Sequence, residues 1–208
     1  AFEKSIAVFE KSNKFLNAAK LSRELAELLE RDANPKEAVD FYEQAVEYFL
    51  AEDNKAQASP CLEKIAFLAG ESKDYKKAVA TFERIADVCM EKKLTSFNAK
   101  KHWFSALLCV LADGDTVNAA EKLRNYKGKD YKFENSRECR FIEGVVEAVN
   151  SMDAEAFTAK VREWDEVKKF DPWQTSMLLS IKKQIVVPDG VEGVGGGGGA
   201  EPAVAAKV

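Results

Sequence analysis

The chain has 208 residues, a formal net charge of −4 and 46% apolar residues, a composition that can bury a core and excludes a wholly disordered chain. The mild acidity gives no general attraction to nucleic acid or to anionic membranes, so no nucleic-acid partner is expected. No run of about 18 apolar residues is present, so no segment is predicted to span a bilayer.

Apolar residues recur at spacings of three and four through the first 186 residues, which predicts helix almost throughout. Capping and turn residues place the helix ends, with Asn34 as one predicted cap and Thr95 or Ser96 as another. Asp171 and Pro172 open the last predicted helix as cap and first residue. The other breaks are placed at 32–35, 70–74, 92–95, 113–115, 128–130 and 151–153.

Two kinds of helix repeat along the chain. A small residue, a β-branched residue, an aromatic residue and a glutamate recur at 5–10, 38–43 and 78–83, with offsets of 33 and 40, and the glutamates are expected to face water. The partner helices carry small residues 40 positions apart, each followed by alanine seven positions later. These partner positions are Ala19, Ser59 and Ala99, followed by Ala26, Ala66 and Ala106.

Two helices in each ~34–40 residues are typical of a tetratricopeptide-like solenoid. The predicted fold is therefore all-α, a right-handed solenoid of helical hairpins closed by a C-terminal helical bundle. A generic helical bundle with coincidental spacing is the alternative. Residues 1–113 are assigned to the hairpin repeats, 114–186 to the bundle and 187–208 to a disordered Gly/Ala-rich tail. Three tryptophans are expected to fill the core near the bundle: Trp103, Trp164 and Trp173.

The repeat array is predicted to be truncated at its N-terminal side, because Ala1 already lies inside a repeat pattern. A solenoid unit needs a neighbour on each side to bury its faces. Ile6, Phe9 and their neighbours are therefore expected to form an exposed apolar patch.

No catalytic or metal-binding pattern is present, and the chain is predicted not to be an enzyme and to need no cofactor. GxSxG, HExxH and Walker sequences are absent, and a GxGxxG match in the tail has neither a strand before it nor a helix after it. His102 has no ligand-spaced partner and is predicted to be a partly exposed helical residue. The four cysteines are predicted to be reduced thiols of a cytosolic protein: Cys61, Cys89, Cys109 and Cys139.

Five lysines recur at or near the start of the second helix of successive pairs. Equivalent positions of a curved solenoid line one surface, so these ammonium groups are predicted to form a basic row. Such a row suits an extended acidic partner, whereas ordinary surface lysines are the alternative. The five are Lys14, Lys20, Lys64, Lys100 and Lys101.

Several segments together resemble one family, the alpha-type soluble N-ethylmaleimide-sensitive factor (NSF) attachment proteins, or SNAP adaptors. The most specific are Ser136-Arg137-Glu138-Cys139 and the Met177-Leu178-Leu179 and Ile181-Lys182-Lys183 runs. Further segments are Phe15 with Ala18-Ala19-Lys20, Tyr75 with Lys77-Ala78-Val79, Ala106-Leu107-Leu108-Cys109, Asp115 with Asn118-Ala119, Trp164-Asp165 and Asp171-Pro172-Trp173. The resemblance covers nearly all of residues 1–186 in order.

The resemblance implies a cytoplasmic adaptor, peripheral to membranes, that binds the SNARE four-helix bundle of the syntaxin type through a basic concave face. It also implies recruitment of the NSF ATPase for SNARE disassembly in vesicle fusion and intracellular protein transport. The SNARE-contacting residues implied are Lys14, Lys20, Lys64, Lys100 and Arg137. The implied ATPase-facing residues are Asp115 and Glu147.

The sequence departs from the family at several positions. Pro60 stands in place of a SNARE-contacting lysine and either interrupts its helix or marks a helix that starts one turn late. Asn150 and Ser151 replace two ATPase-facing acids, and the Gly/Ala-rich tail replaces a short acidic one. The family's N-terminal region, which has a membrane-touching apolar loop, has no counterpart in this sequence, so the resemblance does not extend to the feature that implies peripheral membrane association. Two alternatives therefore stay open: a generic tetratricopeptide-like scaffold, and an inhibitory form that binds SNAREs without activating the ATPase.

Overall fold

A computed structural model describes residues 2–91 and 93–185, and within these ranges the backbone forms α-helices, one short 3-10 helix at Ser96–Asn98 and no strand. The all-α prediction is therefore confirmed. The predicted tail at 187–208 lies outside the described residues. The eleven helices of the described ranges are α1 Phe2–Lys11, α2 Phe15–Arg31, α3 Pro35–Ala51, α4 Lys55–Glu71, α5 Tyr75–Met90, α6 Ala99–Ala112, α7 Thr116–Lys129, α8 Tyr131–Glu134, α9 Arg137–Asn150, α10 Ala154–Val167 and α11 Pro172–Ile185.

Three-residue turns of one geometry join the first five helices. The central residue of each turn has a left-handed backbone, with φ of 52° at Asn13, 56° at Ala33, 53° at Asp53 and 62° at Lys73. In each turn the last residue donates its N–H to a carbonyl five positions back, as Asn34 does to Leu29 at 2.9 Å. This bond uses a carbonyl that the helix end leaves without a partner.

These turns set the true register of the repeat. Their central residues are 20 positions apart, so one hairpin occupies 40 residues from α1 to the start of α5. The predicted offset of 33 between the first two segments is therefore wrong, and Phe9 corresponds to Phe49 rather than to Tyr42. Sequence analysis also missed the turns at 12–14 and 52–54, because neither has a nearby Gly or Pro such as Pro35 or Gly70 at the turns that were predicted.

Helices α1/α2, α3/α4 and α5/α6 pack as three successive antiparallel hairpins. Of the six small residues predicted for the second helix of each hairpin, the five alanines are buried and Ser59 is half-buried. Ala19, Ala26 and Ala66 are completely buried, and their methyl groups allow the neighbouring backbone to approach closely. The helical-hairpin solenoid is thus confirmed.

Ion pairs connect α3 to α5 and α5 to α7. Glu43 pairs with Lys77 at 2.9 Å, and Glu83 pairs with Lys122 at 2.7 Å. Glu10 is exposed as predicted, whereas Glu43 and Glu83 are half-buried and paired, so the prediction that the repeat glutamates face water holds only in part. Glu43 and Glu83 tie neighbouring hairpins together along one side of the array.

The hydrophobic core continues without interruption from α4 to α11. The predicted tryptophans are part of it, since Trp103 is 0% exposed, Trp164 4% and Trp173 8%. Trp173 lies against Phe67 of α4, with ring centroids 5.0 Å apart. The third hairpin and the last helices therefore share one core across residue 113, and the division of the chain at that point stays a prediction.

Two exposure predictions are wrong. Ile6 is only 3% exposed, because it packs into the second apolar cluster of the core, and Phe9 is half-buried. Of the predicted patch, the neighbouring residue Val8 is exposed, at 61%. His102 is also 3% exposed, because α6 runs through the middle of the structure.

The cysteine side chains are largely buried. Cys61, Cys109 and Cys139 are buried and Cys89 is half-buried, and all four thiols are free. Burial raises the pKa of the Cys61 thiol to about 11 and that of Cys109 to about 12.

In the described part of the chain, no group of His, Cys, Asp and Glu side chains has a metal-binding arrangement. Nor does any helix there have the length and apolar character needed to cross a membrane.

Candidate protein-binding surface

The candidate surface is the outer side of α2 and α4 together with the first turn of α6, the part of that helix that is not buried; it is referred to below as the even-helix face. Polar side chains connect these helices in pairs. Arg23 Nη1 donates to Gln57 Oε1 at 2.7 Å between α2 and α4. Lys101 Nζ lies 3.9 Å from Glu63 Oε1 between α6 and α4. Side chains of neighbouring even-numbered helices therefore meet on one face.

A row of equivalent positions on this face contains Lys20, Pro60 and Lys100. They are 40 residues apart, which is the structural repeat, so the two lysines flank Pro60. Pro60 is inside α4, which begins at Lys55, and the alternative that this helix starts one turn late is wrong. Because proline has no N–H, the carbonyl of Ala56 lacks its ordinary helical donor.

The candidate basic residues differ in how strongly they are already engaged. Lys14 and Lys20 are exposed, and neither has an ion-pair partner in residues 2–91 and 93–185. Lys64 Nζ is 2.6 Å from Glu30 Oε1, and Lys100 Nζ is 3.6 Å from Glu138 Oε1. Exposed pairs of this kind contribute about 0–1 kcal/mol, so a partner's carboxylates can compete for both lysines.

Arg137 is held within the protein. Its guanidinium carbon lies 4.0 Å from the centroid of the Trp164 ring, and Nη2 donates to the Trp164 carbonyl at 3.1 Å. A cation over an indole face in this geometry stabilises the packing of α9 on α10. Arg137 also lines a groove between α9 and α10 that contains Glu147, so residues implied for two different partners share one groove.

The two implied ATPase-facing acids lie where α7 begins and α9 ends. Asp115 caps α7 and accepts a hydrogen bond from Asn118 N at 2.9 Å. Glu147 is exposed on α9 and lines a depression with Asn150, and Asn150 also lines the adjoining depression with Val117 of α7. The structure therefore places both acids around one end of the bundle.

Sequence analysis missed exposed apolar residues beside both candidate regions. Leu94 is 86% exposed and Phe97 is 62% exposed, just before Lys100 and α6. Val117 is 79% exposed, directly after Asp115. The available signal at Leu94 was an apolar residue that follows two lysines within a predicted helix break, where there is no core to fill.

A groove of about 450 Å³ lies between α2, α4 and α11 on the even-helix face. Pro60, Phe67 and Trp173 supply apolar lining, and Glu30 and Glu71 are among four carboxylates around it. The Tyr42 hydroxyl donates to Glu30 Oε2 at 2.9 Å, and burial together with this carboxylate raises the pKa of the tyrosine.

Stacked helical hairpins with an exposed binding face define the class of tetratricopeptide-like helical-repeat proteins. A family model described as "Soluble NSF attachment protein, SNAP" matches residues 1–186. This match covers most of the chain, and the chain belongs to the soluble NSF attachment protein family.

Individual relatives agree with this assignment. The chain is 33% identical over 181 residues to "Alpha-soluble NSF attachment protein" of Dictyostelium discoideum, covering 87% of this chain and 62% of the relative. It is 33% identical over 186 residues to "Vesicular-fusion protein SEC17" of Coprinopsis cinerea, with coverage of 89% and 64%. It is 34% identical over 182 residues to "Beta-soluble NSF attachment protein" of Bos taurus, with coverage of 87% and 61%. The chain thus spans about three-fifths of the length of these relatives.

Proposed function

We propose that this chain is an adaptor that binds the assembled SNARE four-helix bundle on its even-helix face and recruits the NSF ATPase for SNARE disassembly in vesicle fusion. We also propose that the protein is cytoplasmic and associates peripherally with membranes. The observation that carries it is the repeat register of Lys20 in α2 and Lys100 in α6, which lie on either side of Pro60 on one face, in a chain of the SNAP family.

The electrostatics of the face support an extended acidic partner. Lys14 and Lys20 present ammonium groups that need no internal pair to be broken, and the pairs of Lys64 and Lys100 are weak enough to be exchanged. Leu94 and Phe97 add apolar area at the Lys100 end. Arg137 contributes less, because its guanidinium is already stacked on Trp164.

Charge reversal on the face tests this proposal. We expect Lys20→Glu with Lys100→Glu to abolish capture of the chain by an assembled SNARE bundle and to leave the helical circular dichroism signal unchanged. Lys36→Glu with Lys76→Glu is the matched control, because it makes the same change in net charge at exposed positions of odd-numbered helices. Equal losses in both variants would show nonspecific attraction, and full binding by the first would exclude this face.

Recruitment of the NSF ATPase is tested at Asp115 and Glu147, where α7 begins and α9 ends. We expect Asp115→Asn with Glu147→Gln to keep SNARE binding and to slow ATP-dependent disassembly after NSF is added. Asparagine also caps helices well, so the first change removes charge and leaves the α7 cap in place. Undiminished disassembly would contradict the assignment of these two acids.

An inhibitory form is the second candidate. Asn150 lies between the Glu147 and Val117 depressions and provides no carboxylate there. A wild-type chain that binds the SNARE bundle while the bundle stays intact after NSF and ATP are added would favour this form. Restored disassembly in Asn150→Glu with Ser151→Glu would assign the inhibition to these positions. A wild-type chain that does not bind SNAREs would favour the generic scaffold.

A further inference from the structure

We propose that the groove between α2, α4 and α11, referred to below as the Trp173 groove, receives one basic side chain, arginine or lysine, from the protein partner. This inference rests on the proposed function for the identity of the partner. It adds a feature that the basic row does not predict, since the groove lies on the same face and has the opposite charge.

The lining of the groove has two chemical parts. Pro60, Phe67 and Leu68 provide apolar contact, and Trp173 closes the groove from α11. The Trp173 indole is fixed by a hydrogen bond to the Phe67 carbonyl and by edge-on contacts with Phe67 and Phe82, so this wall is formed in advance. A wall of this kind suits the methylene stem of arginine or lysine. This stem packs on apolar surface while the charged end of the side chain remains in contact with polar groups or water.

Carboxylates provide the second part. Glu27, Glu30, Glu63 and Glu71 line the groove, against only two cationic side chains, Arg23 and Lys64. The groove therefore has an excess of negative charge, which favours a cation over a carboxylate or a phosphate.

Glu71 is the carboxylate available to an incoming cation. The other three have basic neighbours: Glu27 lies 3.7 Å from Arg23, Glu30 pairs with Lys64, and Glu63 lies 3.9 Å from Lys101. Glu71 is exposed at the end of α4 and has no ion-pair partner among the residues that the structure describes. An arginine in the groove would reach it without displacing an internal pair.

Pro60 makes the groove possible within the row. It occupies the position between Lys20 and Lys100 and presents an apolar ring where a lysine would place an ammonium group against Lys64. The even-helix face thus alternates between a basic, an acidic and again a basic region. A complementary partner has acidic side chains on either side of a basic one.

A small probe tests the groove without any SNARE. N-acetyl-arginine methylamide is titrated into the 15N-labelled chain while the indole N–H resonance of Trp173, assigned with Trp173→Phe, is followed. We expect a saturable shift, and at least tenfold weaker binding of the citrulline analogue, which keeps the shape and lacks the charge. A Trp173 resonance that does not move, or equal binding of both analogues, would overturn the inference.

Two pairs of variants locate the site. We expect Glu71→Gln to weaken arginine binding severalfold and Glu37→Gln, at an exposed position of α3, to leave it unchanged. Pro60→Lys should weaken binding of the arginine probe. Pro60→Ala, which also restores the helical N–H but adds no charge, should leave that binding unchanged. Equal effects within either pair would show that the probe binds elsewhere.

The SNARE bundle then separates this inference from the proposed function. If the bundle does not bind but the arginine probe does, the groove stands and the SNARE proposal fails. If the bundle binds and Pro60→Lys strengthens it relative to Pro60→Ala, the continuous basic row is correct and the groove does not receive a basic side chain. If Pro60→Lys and Glu71→Lys both weaken binding of the SNARE bundle to the chain and the control Glu37→Lys does not, both proposals are supported.

Discussion

The indole nitrogen of Trp173 donates a hydrogen bond to the backbone carbonyl of Phe67 at 3.1 Å, although the residues are 106 positions apart. A second bond ties the other end of the same helix, since Gln184 Nε2 donates to the Ala112 carbonyl at 2.8 Å. Helix α11, which is not part of the three hairpins, thereby bonds to both α4 and α6 and links them. The even-helix face and the Trp173 groove both depend on this helix.

Removing the Trp173 ring tests how much this closure contributes. We expect Trp173→Ala to lower the free energy of unfolding by about 3–5 kcal/mol, because a large buried ring is lost and a cavity is left. Urea titration followed by circular dichroism measures the change. Leu179→Ala, at a residue 56% exposed on the same helix, is the control and should stay within about 0.5 kcal/mol of wild type. A loss below about 1 kcal/mol for Trp173→Ala would show that α11 is not a structural closure.

A glycine of α4 provides an independent test of the same contact. A Cβ atom built on Gly70 would lie 2.9 Å from Cζ2 of Trp173, so Gly70→Ala must push the ring away. We expect a loss of about 1–3 kcal/mol, as for overpacked cores. Gly128→Ala is the matched control, because a Cβ on this helical glycine would meet nothing within 4 Å. It should stabilise the protein by up to about 1 kcal/mol. Thermal melting compares the two, and equal effects would contradict the close approach.

The fold was largely predictable because it depends on local patterns. Helical periodicity and small residues such as Ala26 and Ala66 give the hairpins, and both alanines are completely buried. The turn at 52–54 was missed because the left-handed residue there is Asp53, and a non-glycine turn leaves little trace in a sequence.

The candidate site was less predictable, because ion pairing and burial are tertiary properties. Spacing placed Lys20 and Lys100 two repeats apart, but it put Lys64 near the start of its helix, whereas Lys64 lies in the middle of α4. Nor could spacing show that Lys100 lies beside Glu138. It could not show that Arg137 stacks on Trp164, 27 positions away. The Trp173 groove was invisible for the same reason, since its walls come from helices far apart in the chain.

The left-handed turns store strain that one substitution should relieve. Ala33 has φ 56°, a conformation that costs a residue with a Cβ about 1–2 kcal/mol. We expect Ala33→Gly to raise the free energy of unfolding by about 0.5–1 kcal/mol, after allowing for the greater freedom of glycine in the unfolded chain. Ala80→Gly, at an exposed helical position of α5, should instead lower it by about 1 kcal/mol. Destabilisation of similar size in both variants, by urea titration, would contradict the left-handed turn.

The last prediction concerns His102, the only histidine of the chain. Burial lowers its pKa, Glu63 acts in the opposite direction with Oε1 at 3.5 Å from Nε2, and Lys101 adds to the lowering. In the part of the chain that the structure describes, Nδ1 has no hydrogen-bond partner, and the ring stacks on Phe82. The neutral imidazole is therefore the form that fits the folded protein.

The sign of the pH effect follows from proton linkage. The unfolded chain binds a proton at the ordinary histidine pKa of about 6.5, whereas the folded chain binds it only at lower pH. Stability is therefore expected to fall as the pH drops from about 7 towards the lowered pKa of His102, because protonation favours the unfolded state. Urea titrations of wild type and His102→Gln between about pH 7.5 and 5 should show a steeper decline in wild type. Ionisation of the carboxylates affects both proteins alike, so the difference between the two curves isolates His102. Parallel curves would mean that the imidazole is protonated as readily in the folded protein as in the unfolded chain.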